Sequence, residues 1–211
     1  MSAREAHAFD TAAEPVFDKV CVYAGSAPGA SAAYANATRS LAAGIVARGA
    51  GVVYGGGSLG LMGVLADATI EAGGEVTGVI PRFLDDREVG HHGVTDLRVV
   101  ETMHERKMLM ADLADAFVVL PGGIGTLEEI VEMLSWSQLG LHRKPMGLLD
   151  TDGFWRPLTA LLDHMTAEKF VGLDHRRLLL SAPDAEELLD AMLAWEAPAV
   201  GRQWLRSEDE T

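Results

Sequence analysis

Between Pro121 and Glu129 the chain reads Pro-Gly-Gly-Ile-Gly-Thr-Leu-Glu-Glu, which sets glycines, a hydroxyl and two carboxylates side by side. The chemistry open to such a stretch is phosphate binding with a carboxylate at hand. Glycines let backbone N–H groups approach an anion with no Cβ in the way, and a helix N-terminus adds unpaired donors and the positive end of its dipole. The preceding run, Ala116-Phe-Val-Val-Leu120, is short, apolar and β-branched and reads as a buried strand; Leu127, Ile130, Val131 and Leu134 then recur at helical spacing. The glycines therefore lie where a strand becomes a helix. Thr126 either caps that helix or binds phosphate, and Thr126 with Glu129 has the spacing of a capping box. Carboxylates at a helix start also complement its dipole, an effect of about 0.3–1 kcal/mol. A plain helix start needs only one permissive residue, so Gly122, Gly123 and Gly125 beside Pro121 favour a ligand site.

Cations stand nearby in sequence, at Met103-His-Glu-Arg-Lys107. Arg106 offers a planar fork for phosphate or carboxylate and Lys107 a point charge. A helix start is the wrong end of the dipole for cations, which points to ligand use. His104 has no partner in the sequence, and His91-His92 lack acidic or cysteine ligands at metal spacing, so no metal is expected. Met103 and Trp136 fit either the core or a wall on which a base stacks.

The elements that must position these groups alternate along the chain. Strands are expected at Lys19–Ala24, Gly51–Tyr54, Glu75–Ile80, Leu97–Glu101, Ala116–Leu120 and Pro145–Asp150. Helices are expected at Ser31–Arg48, Leu61–Ala72, Met103–Asp115, after Gly125, at Phe154–Lys169 and at Ala185–Trp195. Residues 81–93 read as a polar loop and Leu178–Leu180 as a short apolar segment. This alternation indicates an α/β chain with a parallel sheet. Ligands then bind outside the carboxyl ends of the strands. Gly25-Ser-Ala-Pro-Gly29, Gly55-Gly-Gly-Ser-Leu-Gly60 and the Pro121 loop should converge there on a nucleotide-sized cleft. None of the three has a dehydrogenase or NTPase fingerprint.

Composition sets the remaining bounds. The 211 residues are 48% hydrophobic and 23% charged, enough for a full core in one domain, with residues 1–18 and the acidic 201–211 as tails around a domain over 19–200. A formal net charge of -14 argues against nucleic acid or an anionic membrane as partner. The lone Cys21 allows no intrachain disulfide or cysteine metal cluster, and no run reads as a signal core or a membrane span. A cytoplasmic protein is expected.

Four stretches together, Gly55–Gly63, Met103–Lys107, Pro121–Glu129 and Trp136-Ser-Gln-Leu-Gly-Leu-His-Arg-Lys-Pro145, resemble the LONELY GUY family of cytokinin riboside 5'-monophosphate phosphoribohydrolases, over about Val20 to Ala197. That family has often been labelled "lysine decarboxylase", but no lysine site here suits pyridoxal phosphate and no cofactor is expected. The resemblance implies a Rossmann-like, three-layer, doubly wound parallel sheet in a single domain and a homodimer. It also implies hydrolysis of the N-glycosidic bond of a nucleoside 5'-monophosphate, isopentenyladenosine monophosphate or AMP, to free base and ribose 5-phosphate. Cleavage builds oxocarbenium character on the sugar, for which Glu129 is the candidate carboxylate; by resemblance Arg106 is its catalytic partner. Gly122, Gly123, Gly125 and Thr126 would hold the phosphate. Ser26, Glu88, Met103, Lys107, Ile124, Leu127, Glu128 and Ser135 complete the implied substrate contacts. Ala24 and Ala27 replace a cysteine and a serine usual in the family, Ile124 an aromatic residue and Ser135 a threonine. The alternative is a noncatalytic carrier of a phosphorylated small molecule, like the molybdenum cofactor carriers, against which Arg106 and Glu129 speak.

Overall fold

A computed structural model describes residues 17–86 and 90–198. Residues 1–16, 87–89, with Glu88 among them, and 199–211 lie outside the described residues. In chain order the elements are β1 (Lys19–Tyr23), α1 (Ala32–Ala47), β2 (Gly51–Tyr54), α2 (Gly60–Glu71), β3 (Val76–Pro81), α3 (Arg82–Asp85) and β4 (Asp96–Val100). Then follow α4 (Met103–Leu113), β5 (Ala116–Val119), α5 (Ile124–Gln138), β6 (Met146–Leu149), α6 (Arg156–Ala167), α7 (Leu173–Arg176), β7 (Leu179–Ala182) and α8 (Ala185–Leu193).

The strands form one parallel sheet in the order β4-β3-β2-β1-β5-β6-β7. Strands apolar on both faces need cover on both. Val20, Val22, Val52, Tyr54 and Val118 point into a core closed by α1, α2 and α8. Cys21, Tyr23, Val53, Phe117 and Val119 point into a second core closed by α4 and α5. The result is the expected three-layer, doubly wound α/β fold. Tyr23 and Phe117, each under 2% exposed, stack across β1 and β5 with ring centroids 6.1 Å apart.

Two short elements depart from the sequence reading. Residues 81–93 are not loop throughout, because Arg82–Asp85 make a single helical turn. The apolar segment around Leu178–Leu180 is an edge strand: Leu179–Ala182 pair in register with Met146–Leu149. Each is only four residues long, too short for a periodic signal.

Chain order turns back at β1 and β5, the switch point where open α/β sheets leave a crevice. The three glycine loops meet there and lock together. Gly25 N donates to Pro121 O (3.1 Å), and Leu61 N donates to Gly25 O (3.0 Å), so the first loop is bonded to the other two. Gly60 has a φ of 61°, and a Cβ there would overlap the Ser26 carbonyl carbon and Ala27 N. Both faults are backbone against backbone and no side-chain rotation relieves them. Gly60→Ala should therefore lower unfolding stability by about 1–3 kcal/mol from backbone strain alone, read as a reduced denaturation midpoint at unchanged m-value.

Candidate active site

α4 and α5 lie on the same face of the sheet, and each spends core-facing positions on polar groups. Along α4 the buried positions are Arg106, Lys107, Met110 and Ala111. Along α5 they are Thr126, Glu129, Ile130, Met133, Leu134 and Ser137. Both helices thus carry charge at the end of their apolar stripe nearest the glycine loops. Burying a charge is costly unless it is paired and hydrogen-bonded, so the partners of these residues define the site.

The Arg106 guanidinium is held by two main-chain carbonyls, one within β3 and one just after β2. Its Nε donates to Val79 O (3.1 Å) and its Nη2 to Gly55 O (3.0 Å). Gly55 has to be glycine for this, because a Cβ would overlap Nη2. The remaining nitrogen, Nη1, lies 3.9 Å from Met103 Sδ and 3.9 Å from Glu129 Oε1. At that distance it pairs with the carboxylate electrostatically, without a direct hydrogen bond. Both side chains are about 10% exposed.

Burial pushes the Glu129 carboxyl up to about 7, although Arg106 pulls it down; Glu128 adds to the rise and Lys107 opposes it. A carboxyl that ionises near neutrality, beside a cation and at the mouth of a cleft, marks a functional site.

The anion-binding end is α5. Its N-cap is Gly123, and no side chain caps it. The capping-box spacing of Thr126 and Glu129 is not used there, because the N-cap lies three residues before Thr126; both residues line the cleft and are under 9% exposed. The box is on α4 instead: Thr102 Oγ1 accepts from Glu105 N (3.1 Å), and Glu105 Oε2 accepts from Thr102 N (3.3 Å). An uncapped first turn presents N–H donors to a ligand. Thr126 packs so closely on Gly122 that a Cβ at 122 would overlap its hydroxyl.

These groups open on a cleft of about 500 Å³, within the range of small-molecule sites. Its lining combines Ser26, Gly123, Ile124, Gly125, Thr126 and Glu128 with Arg106 and Glu129 and with the apolar side chains of Leu59, Met62, Ile80, Leu84 and Met103. Of the two residues that fit either core or base wall by type, Met103 lines the cleft, while Trp136 packs against the core beneath α5. Leu59 and Met62 belong to the Gly55–Gly63 stretch, whereas Ile80 of β3 and Leu84 of α3 lie in no sequence motif.

Other expected contacts are placed elsewhere. Lys107 Nζ donates to Glu128 Oε1 (2.7 Å) and forms an ion pair with Glu132 Oε2 (3.0 Å). Leu127 packs on the core, and Ser135 is exposed on α5 with its hydroxyl donating to Val131 O (2.8 Å). None of the three lines the cleft. His91 pairs with Asp67 (2.9 Å) and His92 with Asp85 (3.3 Å), and no group of three or more potential metal ligands occurs among the described residues.

Residues 62–192 match the family described as "Possible lysine decarboxylase". The chain is 50% identical over 173 residues to a cytokinin riboside 5'-monophosphate phosphoribohydrolase of Oryza sativa subsp. japonica, covering 82% of this chain and 72% of that one. It is 44% identical over 180 residues to one of Arabidopsis thaliana, covering 85% and 79%. Among solved structures, the molybdenum cofactor binding protein of Rippkaea orientalis superposes with a TM-score of 0.62 at 20% identity, over 82% of this chain and 93% of that one. The molybdenum cofactor carrier protein of Chlamydomonas superposes with a TM-score of 0.62 at 21% identity, over 84% and 98%. At such identities these structural likenesses speak for the fold alone. By sequence, the chain belongs to the family of the cytokinin riboside 5'-monophosphate phosphoribohydrolases.

Proposed function

We propose that this protein hydrolyses the N-glycosidic bond of a nucleoside 5'-monophosphate, a cytokinin riboside 5'-monophosphate or AMP, to free base and ribose 5-phosphate. The observation that carries this reading is Glu129, a buried carboxyl ionising near neutrality opposite Arg106, at the mouth of a cleft flanked by an uncapped helix N-terminus. A carrier of a phosphorylated molecule needs the helix N-terminus but has no use for this pair.

In this reading the 5'-phosphate lies on the first turn of α5, against the N–H groups of residues 123–126, with Thr126 and Ser26 as hydroxyl donors. The ribose then lies over Glu129 and Arg106. As the C1'–N bond breaks, positive charge grows at C1' and the Glu129 carboxylate stabilises it; the same carboxylate takes a proton from the water that bonds to C1'. The departing electron pair stays on the base nitrogen, which takes up a proton from solvent water, and Glu129 returns its proton to solvent. Arg106 Nη1, held 3.9 Å from Glu129 Oε1, orients the substrate beside that carboxylate. The apolar wall of Leu59, Met62, Ile80, Leu84 and Met103 suits a base with an apolar substituent.

We further infer a cytoplasmic homodimer that uses no cofactor and binds neither nucleic acid nor membrane. Supporting this are the free, buried Cys21 and the exposed apolar Met108, Val131, Leu139 and Leu141 on and beside α4 and α5. No described helix is long and apolar enough to cross a membrane.

Incubation with isopentenyladenosine monophosphate and with AMP should release free base and ribose 5-phosphate in equal amounts, separated by chromatography. Binding of both without release would favour the carrier. Glu129→Gln should lower kcat by about 10²–10⁴-fold with binding largely kept. In the parent, kcat/KM should rise with pH through about 7, where Glu129 ionises, and Glu129→Gln should lack that limb. Linkage gives a second sign. The Glu129 carboxyl is raised from an ordinary 4.5 to about 7 in the fold, so the native protein binds the extra proton and its stability falls as pH rises between those values. Glu129→Gln should remove that part of the decline in a pH series of urea denaturations.

A further inference from the structure

Lys107 follows Arg106 in sequence, yet its ammonium does not join the cleft. Its side chain is 9% exposed, and Nζ sits between Glu128 Oε1 at 2.7 Å and Glu132 Oε2 at 3.0 Å. Burial works against the charge, but the bonds to Glu128 and Glu132 outweigh it and leave the Lys107 pKa above its ordinary value. The two glutamates are one turn apart on α5, and Glu129 stands between them. Neighbouring residues of α4 therefore meet α5 in matched fashion: Arg106 faces Glu129, and Lys107 faces Glu128 and Glu132.

A clip made only to fasten two helices would need one carboxylate. Two carboxylates beside a third that must ionise create a like-charge problem, since each disfavours charge on its neighbours. The groups that bear on Glu129 are Arg106 and Lys107 from α4, which lower its pKa, and Glu128 and Glu132 from α5, which raise it; Cys21 and Tyr23 of β1 lie beneath, both buried. Lys107 is the group that neutralises the raising pair directly.

We propose that Lys107 is a positioning residue for the glycosidic cleavage: by clasping Glu128 and Glu132 it shields Glu129 from their charge and fixes the turn of α5 on which Glu129 stands opposite Arg106. The proposal rests on the hydrolase reading for its kinetic consequence, but its electrostatic content can be tested without turnover.

The test follows the Glu129 side-chain carboxyl by NMR in ¹³C-glutamate-labelled protein, assigned by its absence in Glu129→Gln, alongside the pH profile of kcat/KM. In Lys107→Met, which keeps an apolar stem but removes the charge, the Glu129 titration should move up by about one pH unit or more. The kinetic limb should move with it, so that the rate is lost near pH 7 and regained near pH 9. Glu132 does not line the cleft, and Glu132→Gln should move the titration down. Lys107→Met combined with Glu128→Gln and Glu132→Gln should return it towards the parent value. A Glu129 titration unmoved in Lys107→Met, or a rate lowered by the same factor at every pH, overturns the proposal. Should Lys107→Met fail to fold, Glu128→Gln/Glu132→Gln is compared with the triple variant that adds Lys107→Met, and equal Glu129 titrations in the two count against Lys107. A parent protein without turnover contradicts the hydrolase reading, while the NMR titrations still decide the role of Lys107.

Discussion

The site depends on how one buried guanidinium is held. Arg106 stands on α4, but its position is set by the sheet, through the carbonyls of Val79 within β3 and of Gly55 just after β2. These bonds use Nε and Nη2 and aim Nη1 at Glu129. A planar fork suits this task, because fixing two of its edges fixes the third. The requirement propagates outwards. Gly55 must lack a Cβ, the glycine loops must dock on one another, and α4 must start where its capping box places Arg106 near the end of its first turn.

Glu129 gains from this frame and strains against it. Its burial disfavours the charged form, and Arg106 at 3.9 Å only partly restores it. The outcome is a carboxyl balanced between its two states near neutral pH, at the cost of stability wherever it is ionised. Polar residues at core positions of a helical stripe are a local conflict with the fold, and such conflicts concentrate where function is stored. In α5, Thr126 and Glu129 occupy the i and i+3 positions of the stripe that Ile130, Met133 and Leu134 continue. In α4, Arg106 and Lys107 stand where Met110 and Ala111 continue the pattern.

Much of this is legible in the residues. Continuous apolar runs such as Ala116–Leu120 and glycine clusters at their carboxyl ends specify parallel strands and the edge on which a ligand sits. β7 escapes a sequence reading because Leu178–Leu180 is short and its pairing with β6 is non-local; α3 escapes it because one helical turn has no period. The Thr126–Glu129 spacing is ambiguous in the sequence because a capping box and a core-facing pair share the same three-residue interval, and the N-cap at Gly123 decides against the box. Lys107 looks like a ligand contact because its partners, Glu128 and Glu132, lie on another helix and meet it through tertiary packing. The apolar lining joins Leu59, Met62 and Met103, which stand in recognisable stretches, to Ile80 and Leu84 of β3 and α3, which no linear motif marks.

If the site works in this way, substrate phosphate sits on the start of α5 and the scissile bond lies over Glu129. A crystal structure of the protein with a bound nucleoside 5'-monophosphate, using Glu129→Gln to prevent turnover, tests this most directly. Phosphate oxygens should lie within hydrogen-bond distance of backbone N–H groups at residues 123–126, with C1' beside residue 129 and Arg106 Nη1. A phosphate bound at another edge of the sheet, or a ribose turned away from residue 129, would contradict it.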